Sequence, residues 1–208
     1  MSNYNYMVFS RSKTNFATNK LDQISATKLL GVWITEDLSW EKNTKEICIK
    51  SFSRISMLTK LKYAGVAIED LIDIYILFIR SCIEYCSVAF HSTLTVEQIT
   101  DLERIQKTSL KIILAEMYVD YISSLEMCGL STLFDRREKR CLDFALKCLN
   151  HPKHSRLFPL NPSIANENNE VRSREIFEVN FAKTGSYKKS TIPYCQRLLN
   201  NHFNSQFS

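Results

Sequence analysis

The sequence predicts a mainly α protein, a helical bundle with a short N-terminal β element, and three observations predict it. The 208 residues hold four glycines and four prolines, too few turn formers for a sandwich of many short strands. Between residues 39 and 150, apolar side chains recur every three or four positions, the helical period. Strand-like runs rich in Tyr, Val, Ile and Trp are confined to residues 4–10 and 28–34. A hydrophobic share of 45% is enough for a real core in one domain, or in one domain with a smaller appendage.

The run "KLLGVWI" at residues 28–34 reads as a buried strand. An isolated strand pair is marginal in water, so this strand calls for partners in a larger sheet. The first helix is expected from Ser39 to Gly65, a natural left-handed terminator. At 100° per residue its Trp40, Ile47, Ile55 and Leu58 share one face, and Lys42, Lys45 and Lys60 lie opposite. A second helix, from about Ala67 to Phe90, is apolar nearly all round. Its polar strip is Glu69, Asp73, Arg80 and Glu84, so it is expected at the centre, covered by its neighbours, with the strip making ordinary surface ion pairs.

The third helix opens on the capping box formed by Thr95 and Gln98. Its core face is Ile99, Leu102, Ile105, Ser109, Ile112 and Ile113, and Arg104, Lys107 and Lys111 form a positive ridge on the opposite side. A short helix follows from Tyr121 to Cys128, with Asp120 as its cap and Gly129 as its stop. Another runs from Leu133 to Asn150, after Ser131 or Thr132 and before Pro152. That helix carries "DRREKR", residues 135–140, over an apolar set of Phe134, Cys141, Leu142, Ala145 and Leu149. From residue 151 prolines and asparagines mark a boundary and a loop-rich or partly disordered extension, with a short terminal helix after Pro193.

A net charge of +5 permits contact with phosphates or acidic lipid without requiring it. Seven cysteines, an odd number and mostly inside helical patterns, suit reduced thiols in a cytoplasmic or nuclear protein better than a disulfide framework. The first residues lack the basic start and apolar stretch of a signal peptide, so secretion is not expected. The most apolar run, "LIDIYILFIRSCIEYCSVAF", carries Asp73, Arg80 and Glu84. Each of these is unfavourable by roughly 2.5–3.5 kcal/mol at a bilayer centre, so no membrane span is expected.

The blocks "LLGVWITEDLSWEKNTKEI", "LIDIYILFIRSCIEYCSVAFHS", "LERIQKTSLKIIL", "LEMCGLSTLFDRREKRCLDFALKCL" and "STIPYCQRLLN" follow one another in a familiar order. Together they resemble the C-terminal region of reverse transcriptases from non-LTR (LINE-type) retrotransposons of animals, over nearly the whole chain. The resemblance implies that residues 1–38 are remnant strands from the end of the polymerase palm. It likewise makes residues 39–150 the helical thumb and connection, and 151–208 a loop-rich extension. The missing sheet partners would then be the fingers and palm of a polymerase. The chain departs from the family's pattern in having Ser81 where an Arg-Pro-x-x-Glu-Tyr motif has Pro, and Phe90-His91-Ser92 where the family has Trp-His-Pro. Its link between the two strands is also short. These departures fit a degenerate copy or an imperfect gene model. Residues 29–61 also resemble a small N-terminal segment associated with AlkB-like RNA-modifying enzymes. The iron site of such enzymes needs two His and one carboxylate, and no His precedes His91.

Two-metal nucleotidyl transfer needs carboxylates able to bridge ions about 3.5–4 Å apart. No two aspartates are adjacent in this chain, and "YVDY" at residues 118–121 falls between helices, so no catalytic residue is assigned. Cys148, His151 and His154 are of types zinc accepts, but they flank a proline loop and do not form closed pairs. The expectation is a buried Cys beside two solvated His, with no metal and no cofactor. Cys82 and Cys86 read as core residues, and His91 as a helix-end residue. There is no Gly-x-Ser-x-Gly elbow and no phosphate loop. The basic helix faces remain as the nucleic-acid-binding candidates: Lys42, Lys45, Lys60, Arg104, Lys107, Lys111, Arg136, Arg137, Lys139 and Arg140. Such groups bind duplex phosphates without reading bases. The expected partners are an RNA/DNA duplex or the missing body of a polymerase. The alternative is a protein-interaction or structural module, or a relic without a function of its own.

Overall fold

In the computed structural model, which describes residues 5–7, 22–162 and 175–206, the chain is mainly helical with short β ladders before the first helix. Most of the strand expected at residues 4–10, and part of the loop-rich extension expected after residue 151, lie outside the described residues. Among the described residues, no helix is long and apolar enough to cross a membrane. The packing divides the chain at different places from the compositional segments. One unit comprises Met1–Tyr85 with Val96–Cys128, and the other Cys86–Thr95 with Gly129–Ser208.

In the first unit, residues 28–34 are not one strand. They double back as an antiparallel hairpin of β3 (Ala26–Leu29) and β4 (Val32–Thr35), with Leu29 opposite Val32. Leu30 (φ 47°) and Gly31 (φ 87°) both take the left-handed conformation that a two-residue turn needs to match the twist of its strands. The partner of the second half is thus the first half. β1 (Asn5–Tyr6) and β2 (Asp22–Gln23) pair separately and in parallel. A hairpin alone would be marginal; here β4 packs on α1 (Glu41–Tyr63), and Val32 is buried.

The first helix ends as expected, with Gly65 at φ 82° and the Val66 N–H donating to Leu61 O at 3.2 Å. It buries Ile47, Ile55 and Leu58 and keeps Lys42, Lys45 and Lys60 exposed. Against it lies α4 (Val96–Leu114). The Arg104 guanidinium sits 5.7 Å from the Phe52 ring, and Lys62 Nζ donates to Ile113 O at 2.8 Å. Contacts that advance together along both helices mean that they run side by side in the same direction. The buried face of α4 is turned from the expected one, toward Gln106 and Leu110, leaving Ile99 and Ile112 half-buried.

The second helix departs most from expectation. It is α-helical over α2 (Ile68–Ile74), widens to π-helix over Tyr75–Arg80, and ends with α3 (Ser81–Glu84). Leu71, Tyr75, Ile79 and Ile83 are all fully buried, and they recur at intervals of four. On a straight α-helix that spacing drifts by about 40° per step, and the wider turn takes up the drift. The same widening carries Leu77 (72% exposed) and Phe78 out to the surface, so the helix is not covered all round. Glu84 is buried instead of solvated. Cys86, at φ 55°, stops the helix short of Phe90 and stands exposed. Inside this unit, the buried Tyr75 hydroxyl donates to Gln106 Oε1 at 2.5 Å. Gln106 Nε2 donates to Tyr121 Oη at 2.9 Å, and Tyr121 donates to Glu103. The closing helix α5 (Tyr121–Met127) is capped by Asp120, which accepts from the N–H groups of Ile122 and Ser123 at 2.9 and 3.1 Å.

The second unit is built on α6 (Leu133–Leu149) and α8 (Thr191–Gln206). Thr132 caps α6 through the Asp135 N–H at 3.1 Å. Cys141, Ala145, Cys148, Phe158, Phe177 and Leu199 belong to one core, joined by Cys195; all seven cysteines of the chain are free thiols. The last helix begins two residues before Pro193, not after it. Within the first turn the missing proline N–H costs nothing. Asn200 holds the loop by accepting from Phe177 N–H at 2.8 Å and donating to Phe177 O at 3.0 Å, an imitation of strand pairing. Gln196 does the same work at Asn180 and Leu157, with bonds of 2.9 Å each. The short helix α7 (Gly185–Lys189) packs on α8.

Candidate nucleic-acid interface

The first unit places six of the candidate cations at the surface of two adjacent helices. Lys42, Lys45 and Lys60 on α1, and Arg104, Lys107 and Lys111 on α4, are all exposed. Arg104 faces Asp101 at 4.0 Å, an exposed pair worth little to stability. Lys42 Nζ lies 3.8 Å from the centre of the Trp33 ring, and Lys111 Nζ 5.5 Å from that of Tyr118. Contacts of this kind are worth about 0.5–1 kcal/mol at exposed sites, so they steady the side chains without withdrawing the charge from a ligand.

The second unit divides its four candidates. Lys139 and Arg140 are exposed and Arg136 is half-buried. With Asp135, Asp143 and Lys147 they line a shallow cavity of about 600 Å³ on α6. Arg137 is different: it is fully buried and is withdrawn from the set of phosphate contacts. The signal was in the spacing, since Leu133, Arg137, Cys141 and Ala145 recur every four residues and the other three are all core. Reading "DRREKR" as one charged run concealed that register.

Near Arg137 lies His91, expected at a helix end and found buried in the turn His91–Thr93. Its ring meets Phe134 edge-on at 5.0 Å, and Nε2 is 3.4 Å from the Tyr194 hydroxyl, which donates to Glu138 at 2.8 Å. Burial, and then the charge of Arg137, lower the His91 pKa from 6.5 to about 4. Burial and the bond to Glu138 hold the Tyr194 hydroxyl protonated, with its pKa raised. His91 and Tyr194 are thus structural partners whose surroundings disfavour their charged forms.

Cys148 faces the core while the His151 and His154 rings stack outside it, 4.3 Å apart. Among the described residues, no three His, Cys, Asp or Glu side chains are grouped to hold a metal ion.

Sequence reasoning missed a pocket of about 420 Å³ beside the hairpin, lined by Lys28, Trp33, Asn43, Lys50, Arg54 and Tyr85 among others. A signal for it existed. Asn43, Glu46, Ile47, Lys50 and Arg54 form one stripe of α1 at helical spacing. The hairpin that completes the pocket lies in the run 28–34, whose composition alone predicts a single strand. Comparison with protein-family models, curated proteins and solved structures finds no match to this chain.

Proposed function

We infer that this chain is a non-catalytic fragment of a reverse transcriptase of the non-LTR type, whose helices grip an RNA/DNA duplex through its phosphates. The observation that carries the reading is the set of six exposed cations on α1 and α4, two helices that lie side by side. The resemblance of the sequence blocks to the thumb and connection of that family supports it. The reading assigns the chain no nucleotidyl transfer of its own. Six phosphate contacts predict that log K falls with log salt at a slope of about −4 to −5. Titration of a short RNA/DNA hybrid at several salt concentrations tests this. Replacing Lys60, Lys107 and Lys111 by Gln should flatten the slope by about 2–3. A slope near zero, or one unchanged in the triple variant, would refute the reading.

A second reading, a protein-interaction module, is favoured by the apolar side chains the first unit leaves exposed. Leu77 and Phe78 stand out from the π-helical turn, and Leu30 (84% exposed) from the hairpin tip. In that reading the partner is the missing body of a polymerase.

A further inference from the structure

We propose that the pocket formed by the β3–β4 hairpin, α1 and α3 binds a small phosphate monoester carrying a planar organic body, of the class of a nucleoside 5′-monophosphate. Its volume of about 420 Å³ lies in the range of small-ligand sites, roughly 300–1,000 Å³. The charge of its lining is one-sided. Lys28, Lys50 and Arg54 bring three cations, against the carboxylate of Glu46. Among the described residues, none of the three cations is engaged in an ion pair. Arg54 is oriented by donating to Phe78 O and by stacking at 5.2 Å on the Phe78 ring.

Two lining residues also hold buried N–H groups with no acceptor. Asn43 is 4% exposed, and its amide oxygen is taken by the Trp33 N–H at 3.2 Å, while its Nδ2 has no partner. The indole Nε1 of Trp33 is likewise buried and unpartnered. In native interiors most such groups meet an acceptor. A phosphate group is rich in acceptors and doubly charged, so it matches a lining that carries three cations free of ion pairs and two residues with unpartnered N–H groups.

The walls favour a planar body. Val32, Ile47 and the ring of Tyr85 line the same space. Tyr85 is pinned by its hydroxyl, which donates to Leu30 O at 2.8 Å. Its ring approaches Gly31 so closely that a Cβ there would stand 3.4 Å from it. The hairpin tip thus holds the aromatic wall in place.

The test follows the Trp33 indole N–H resonance of the full chain by NMR during titration with adenosine 5′-monophosphate and, separately, with inorganic phosphate. The expected result is a saturable shift with the nucleotide, at an affinity at least tenfold above that for inorganic phosphate. Lys28→Gln with Lys50→Gln, both exposed positions, should weaken nucleotide binding at least tenfold, while Lys153→Gln in the second unit should leave it unchanged. No shift with either probe up to about 10 mM overturns the proposal. Undiminished binding in the double variant overturns it too. Equal affinity for the two probes overturns the assignment of a planar body. The duplex reading rests on the six cations Lys42, Lys45, Lys60, Arg104, Lys107 and Lys111, none of which lines this pocket, so the two can fail separately.

Discussion

Replacing Tyr75 by Phe removes one oxygen from the centre of the first unit and leaves the ring in place. The phenol is fully buried, and its hydroxyl donates to Gln106 Oε1 at 2.5 Å. Burial drives the hydroxyl's pKa well above its ordinary value, so what is lost is a neutral donor. No cavity of consequence opens, so the cost is that of the lost bond and of a less satisfied amide oxygen, about 1–2 kcal/mol. Gln106→Leu should cost more, roughly 2–3 kcal/mol, because it deprives both Tyr75 and Tyr121 of a partner. The double variant should be less destabilised than the sum by about 1 kcal/mol, since replacing both side chains together leaves no polar mismatch between the two positions. Urea unfolding, with a slope of about 1–3 kcal/mol per molar, would show the Tyr75→Phe midpoint lowered by roughly 0.5–1 M. Strict additivity of the two substitutions, or a Tyr75→Phe midpoint equal to that of the parent, would refute the network as a stabilising unit.

Two further predictions concern the second unit. The unfolded chain takes up a proton at His91 near pH 6.5, whereas the folded chain resists until about pH 4. Stability should therefore fall as pH drops through that window, by about 2 kcal/mol after allowance for solvent at the edge of the cluster. Denaturation midpoints measured at several pH values should show this slope, and His91→Gln should flatten it; an unchanged slope would dismiss the assignment. The buried and exposed halves of "DRREKR" should also separate. Arg137→Gln is expected to destabilise by roughly 2–4 kcal/mol and Lys139→Gln by less than about 0.5, as thermal unfolding would show. Equal effects would contradict the inward placement of Arg137.

Much of the helical framework was legible because its punctuation is local. Gly65 and Gly129 supply the left-handed residue at a helix end, and Asp120 and Thr132 supply side-chain oxygens within reach of the next N–H groups. The exposed cations of α1 and α4 followed from the same helical period. The hairpin was not legible, because its turn is Leu30-Gly31 instead of the Asn-Gly or Asp-Gly pairs that announce such turns. Leu30 at φ 47° is tolerated where the Tyr85 hydroxyl holds its carbonyl.

By itself, then, the sequence determined the mainly α class, the bounds of most helices and the outward set of lysines on α1 and α4, since each depends on residues within a turn or two of one another. Tertiary structure alone decided the doubling back of residues 28–34, the π-helical turn at Tyr75–Arg80, the burial of Arg137 and His91, and the pocket beside the hairpin. Local spacing hinted at the register of Arg137 and at one wall of the pocket, but burial and closure exist only once the helices have packed: His91 is covered by Phe134 and Tyr194, and the hairpin tip is held by Tyr85, groups far apart in the chain.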